Sequence, residues 1–164
     1  MIALVLLLAA GIDGFEPDTP FLKLSVSPTL IPYSAEVRAG VRPASRQGEK
    51  LTEDRIWFAG DFRDGDRIEH RWTDGGRCPS AIRVLRQVEH LTMPSPRIPL
   101  EGGEYGGGSV RDGTGYDLEV TSSALQRQET GPIRISSNVG TDLAKWADAL
   151  LEALKPCWLP RGEA

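Results

Sequence analysis

The chain of 164 residues is poor in the groups that most site chemistry uses, with two histidines, two cysteines and four lysines. Neither cysteine sits in a CxxC pair and no histidines cluster, which removes the common zinc and redox-motif spacings. No serine stands in a GxSxG elbow, so the usual sequence mark of a hydrolase nucleophile is missing. The glycine-rich segment lacks the third glycine of a dinucleotide fingerprint and leads into a strand pattern instead of leaving one. Surplus positive charge is absent as well. A net charge of −4 and a pI near 5.2 are the reverse of what a phosphate-gripping protein usually shows. No cofactor, metal or nucleic-acid partner is therefore expected.

What remains is ordinary globular material. Hydrophobic content of 40% and charged content of 26% suit a folded chain, and this length fits one domain with a real core. Arginines outnumber lysines fifteen to four, but they spread from Arg38 to Arg161 without forming a run of like charge. The first residues carry more information. Ile2 to Ala10 is an unbroken apolar run, followed by small residues and then Asp13. That length suits the core of a secretory signal and is about half of a bilayer-spanning helix. No Lys or Arg precedes the run, so a buried N-terminal strand is the competing reading. Residues 1–12 are expected to be a signal peptide, 21–158 a single domain, and the mature chain to have no transmembrane helix. In an exporting context, Cys78 and Cys157 read as a disulfide more readily than as two buried thiols. Closing a loop of that length would stabilise the fold by roughly 4–5 kcal/mol.

Alternation predicts strands at Leu22–Val26, Ala35–Val41, Tyr116–Val120 and Ile133–Ile135. Two further strands flank Arg63-Asp64-Gly65 between Ile56 and Trp72. A three-residue loop with Gly65 left-handed would set Asp61 across from Arg67 and Trp57 across from Arg71. Ile56, Phe58, Phe62, Ile68, His70 and Trp72 would then share the apolar face. Pro79 suits the first position of a helix whose stripe is Ala81, Leu85, Val88 and Leu91. Thr141 caps a second helix that buries Leu143, Trp146, Ala147, Leu150, Leu151 and Leu154, and Pro156 stops it. The predicted class is α+β, an antiparallel sheet with two helices on one face, in the order ββ-ββα-ββα. If those helices lie side by side and antiparallel, Cys78 at the start of one meets Cys157 at the end of the other. Between the halves, residues 92–115 form a long proline- and glycine-rich loop, a kind of segment that is usually functional or disordered.

Few residues single themselves out for chemistry. Asp61, Asp64, Asp66 and Glu69 are dense in carboxylate, but their spacing is not that of a calcium loop. Asp112 to Asp117 resembles one copy of a glycine–aspartate repeat that binds calcium only when stacked. On the three-residue register His70 is a core residue, while Trp57 faces away from the helices beside Arg71. Trp57, Arg67 and Arg71 are thus the candidate binding surface.

The segment Ser136-Ser137-Asn138-Val139-Gly140-Thr141, with Trp146 and Pro156-Cys157-Trp158, is similar to small exported proteins of Gram-negative alphaproteobacteria. The resemblance runs from Cys78-Pro79 to Trp158. It implies a periplasmic setting and a paired Cys78 and Cys157, and it carries no activity and no site residues. The leading expectation is a non-catalytic periplasmic or secreted accessory protein that binds an envelope protein or a small ligand. One competitor is a small hydrolase with its site under residues 92–115, using His70 with Asp61 or a loop serine such as Ser109. Another is a structural component of an envelope assembly.

Overall fold

The computed structural model describes residues 20–42, 50–92, 113–121 and 132–160. The expected signal segment and most of the 92–115 loop, including Ser109, lie outside the described residues. Alternating segments form β1 (Leu22–Pro28), β2 (Tyr33–Val41), β3 (Ile56–Asp64) and β4 (Arg67–Asp74). Helix α1 (Pro79–Arg86) follows, then β5 (Thr114–Thr121), β6 (Pro132–Ser137), α2 (Asp142–Leu154) and a two-residue strand β7 (Leu159–Pro160). All seven strands join one antiparallel sheet in the order β6-β5-β1-β2-β3-β4-β7. The N-terminal strand therefore lies between the two later hairpins and joins them into one surface. The predicted α+β class, element order and helix placement hold.

Register explains why the core has a single side. Leu24 stands opposite Val37 on one flank and Leu118 on the other, while Val37 faces Gly60 on β3. Leu22, Leu24, Val26, Ala35, Val37, Ala39, Phe58, Tyr116 and Leu118 are consequently on one face, and all are buried. They form one cluster with Ala81, Ile82 and Leu85 of α1 and with Leu143, Trp146, Leu150 and Leu154 of α2. Both helices hide their apolar stripes against the same sheet face, as two amphipathic helices sharing a sheet must. Proline opens α1, whose stripe continues through a 3-10 turn at Gln87–His90. At α2, the Thr141 hydroxyl accepts the Ala144 N–H at 3.1 Å.

Two contacts fix the sense of the helix pair. The Trp146 indole N–H donates to the Val84 carbonyl at 2.8 Å, joining the early part of α2 to the later part of α1. At the other end Cys78 and Cys157 are disulfide-bonded, with Cα atoms 5.7 Å apart. The helices are antiparallel and side by side.

The β3–β4 hairpin departs from expectation. Asp64 pairs with Arg67, leaving Gly65 and Asp66 as a two-residue loop. Gly65 has φ +59°, the left-handed region that a two-residue hairpin requires and that glycine enters without steric cost. Its N–H donates to the Pro32 carbonyl at 2.9 Å, which ties the turn to the entry of β2. Trp57 now pairs with Asp74 instead of Arg71. That offset of three residues is odd, so the faces of β4 are exchanged relative to the expected register. Glu69, Arg71 and Thr73 lie on the helix side with Phe58 and Phe62. Ile68, His70 and Trp72 lie on the outer side with Trp57 and Asp61. His70 is therefore not a core residue: its side chain is 54% exposed.

A cleft beside the second helix

Exchanging the faces of β4 puts charge where a sheet normally carries apolar side chains. Along the helix side of this strand, burial falls from Thr73, which is fully covered, through Arg71 and Glu69 to exposed Arg67. The helices shelter only the Thr73 end. Beyond them a cleft of about 620 Å³ opens between the hairpin and α2. Pockets of this size class accept small ligands.

Three aromatic residues line it: Tyr33 from β2, Phe62 from β3 and Trp158 from the chain after α2. Trp158 meets Phe62 edge-on, with ring centroids 5.6 Å apart. Its approach depends on Gly60, where an added Cβ would lie 2.7 Å from the Phe62 ring and 3.1 Å from the Trp158 ring. The position of Trp158 is set by its neighbours in sequence. Cys157 before it is bonded to Cys78, and Leu159-Pro160 after it pair with Trp72 and Arg71 on the edge of β4.

Arg71 is held from two directions. Its guanidinium sits over the Phe62 ring, 5.1 Å from the centroid, and donates to Glu69 Oε2 at 2.7 Å. That hydrogen bond lowers the Glu69 carboxyl below the usual glutamate range, with the charges of Arg71 and Arg67 adding to it. The same bond raises the Arg71 guanidinium further. Among the described residues this is the one hydrogen bond of the guanidinium, which leaves most of its N–H donors for a ligand.

The opposite wall is the face of α2 that carries Asp148, Leu151, Glu152 and Lys155 at one-turn spacing. Asp148 Oδ1 accepts the Tyr116 hydroxyl at 3.0 Å, and Lys155 pairs with Glu152. The Tyr116 hydroxyl is raised above the ordinary tyrosine value, first by burial and then by this bond to a carboxylate.

The expected binding surface of Trp57, Arg67 and Arg71 is thus divided by the sheet. Arg67 and Arg71 both line the cleft, but Trp57 lies on the other face and is only 7% exposed. Its indole lies across Gly40 of β2, so closely that a Cβ there would fall 2.1 Å from the ring. The ring thus packs against the neighbouring strand β2 at Gly40. Trp158, Tyr33, Asp148, Glu152 and Lys155 escaped the sequence reading because each fits a solvated helix face or a loop. The signal that pointed to them is charge at Arg67, Glu69 and Arg71, every second residue of one strand.

On the outer face a ladder of charge crosses four strands. Lys23 pairs with Glu36 at 2.9 Å, Arg38 with Asp61 at 2.8 Å, and His70 Nδ1 lies 2.6 Å from Asp61 Oδ1. The expected register separated His70 from Asp61; the observed one makes them direct cross-strand partners. No serine, threonine or cysteine hydrogen-bonds His70 among the described residues, and no three of them are grouped to hold a metal ion.

Searches of family models, of curated proteins and of solved structures found no match to this chain. Among the described residues no helix is long and apolar enough to cross a membrane.

Proposed function

We propose that the protein is a non-catalytic accessory protein of the periplasm or extracellular space that binds a small ligand in the cleft beside α2. The carrying observation is the aromatic floor of Phe62 and Trp158 under a guanidinium, Arg71, already oriented by Glu69 and the Phe62 ring. Groups ordered before binding lose little further freedom when a ligand arrives. The export setting is supported by the apolar N-terminal run, by the disulfide and by the resemblance to small exported proteins of alphaproteobacteria.

The test is a heteronuclear NMR screen of the oxidised protein against a panel of small metabolites, sugars and short peptides. Binding compounds are expected to shift the amides of β4 residues 67–71 and of α2 residues 148–155, and Trp158→Ala should abolish the shifts. If no compound moves these amides, or if shifts map to the outer face, the assignment to the cleft is wrong.

The His70–Asp61 pair supports a second reading, a hydrolase in which Asp61 orients the imidazole and Nε2 acts as base. A broad esterase, peptidase and glycosidase screen with His70→Ala as control tests it. Activity that survives the substitution, or no activity at all, eliminates this reading.

A further inference from the structure

The charge on the cleft walls points to the ligand, provided that the cleft is the binding site as proposed above. Its lining carries four cations, Arg63, Arg67, Arg71 and Lys155, and four carboxylates, Asp64, Glu69, Asp148 and Glu152. This balance disfavours a polyanion such as a nucleotide, which would meet four carboxylates, and disfavours a polycation equally. The charges are also unevenly placed. With the internal pairs Arg71–Glu69 and Lys155–Glu152 set aside, the hairpin keeps Arg63 and Arg67 against the one carboxylate Asp64, a surplus of positive charge, and Arg67 has no ion pair among the described residues. The α2 wall offers Asp148, whose Oδ1 is engaged by Tyr116 and whose Oδ2 has no hydrogen-bond partner among the described residues. A positive wall and a negative wall thus face one another across an apolar floor.

We infer that the ligand is a zwitterion of the amino-acid type, an amino acid or short peptide with an apolar side chain. Its α-carboxylate would meet Arg67 and the free N–H groups of Arg71, and its α-ammonium would meet Asp148. Its side chain would lie against Phe62 and Trp158. An ammonium and a carboxylate taken out of water each need a partner of opposite sign, so the two ends are read together.

The experiment compares leucyl-phenylalanine with its N-acetyl, C-amide and doubly blocked forms by NMR titration of the oxidised protein. The free dipeptide is expected to bind in the cleft, and blocking either end to weaken it at least tenfold. Arg67→Gln, at an exposed position that leaves the fold alone, should shrink the penalty for C-amidation, with Arg71 retaining part of it, and keep the penalty for N-acetylation in full. Asp148→Asn should do the reverse. Equal binding of free and doubly blocked dipeptide in the cleft would overturn the zwitterion inference while leaving the cleft as the binding site. So would a panel in which only compounds of another class shift the cleft. Absence of cleft shifts with every compound would overturn both.

Discussion

Reduction of the Cys78–Cys157 bond tests how the fold holds its C-terminal end. The two residues are 79 apart in sequence. In the chain-entropy treatment, closing such a loop withholds about 15 cal/mol/K from the unfolded chain, or about 4.5 kcal/mol at 25 °C. Cys78 is fully buried, and reduction keeps both sulfur atoms, so it removes the cross-link without deleting any heavy atom from the core. Urea denaturation of the oxidised and the dithiothreitol-reduced protein should therefore differ by about 4 kcal/mol. With an m-value of about 2 kcal/mol/M, the midpoint falls by about 2 M. Cys78→Ala should lose about 1 kcal/mol more than reduction does, because it also empties space in the buried cluster to which Cys78 belongs. Two results would refute the reasoning: midpoints within about 0.5 M of each other, or free thiols in protein recovered from its native compartment.

Three further substitutions probe other parts of the argument. Gly40→Ala drives a methyl into the buried Trp57 indole and should cost about 1–3 kcal/mol, with a red shift of tryptophan fluorescence; an unchanged melting temperature would contradict the packing. Thr73 is fully buried and its hydroxyl has no hydrogen-bond partner among the described residues, so Thr73→Val should stabilise by about 1 kcal/mol and raise the melting temperature by about 2–4 °C. A fall in melting temperature would show that the hydroxyl is paired. The Tyr116 hydroxyl is raised above the ordinary tyrosine value in the folded state. Its contribution is complete below that value and is lost as pH rises through the folded pKa, since only the unfolded tyrosine ionises in between. Tyr116→Phe should accordingly be less sensitive than wild type to a change from pH 8 to pH 11 in urea denaturation, and equal sensitivity would refute the assignment.

The elements that bury one face completely were legible from alternation alone. Leu22, Leu24 and Val26 repeat at period two, and Leu143, Trp146, Ala147 and Leu150 repeat at helical spacing, because in both cases helix and sheet cover each other fully. The helix pairing was legible too, since antiparallel helices brought Cys78 to Cys157. The register of the β3–β4 hairpin was not. Its apolar residues Ile68 and Trp72 suggested a core face, and aligning them with Phe58 and Phe62 required a loop of three. The competing signal was local: glycine followed by aspartate is a two-residue hairpin loop, and it decided the outcome.

That failure of pattern and the existence of the cleft have one cause. A sheet face needs apolar side chains only where something covers it, and the helices end their coverage near Thr73. Past that point Glu69 and Arg71 can stay charged because water reaches them, and they pair with each other on the Phe62 ring. The same uncovered strip leaves room for Trp158, which the disulfide and β7 fix in place from either side. A sequence rule that expects every second residue to be apolar breaks down on β4 because β4 forms the wall of a cleft. Local disagreement with the fold-wide pattern is expected at sites of function. The claim is testable through the hairpin itself. Arg71→Val restores apolar alternation on the helix side, and it should stabilise or leave unchanged the fold while removing ligand from the cleft. If instead the variant unfolds more readily by about 2 kcal/mol or more, Arg71 is a structural anchor and its placement says nothing about binding.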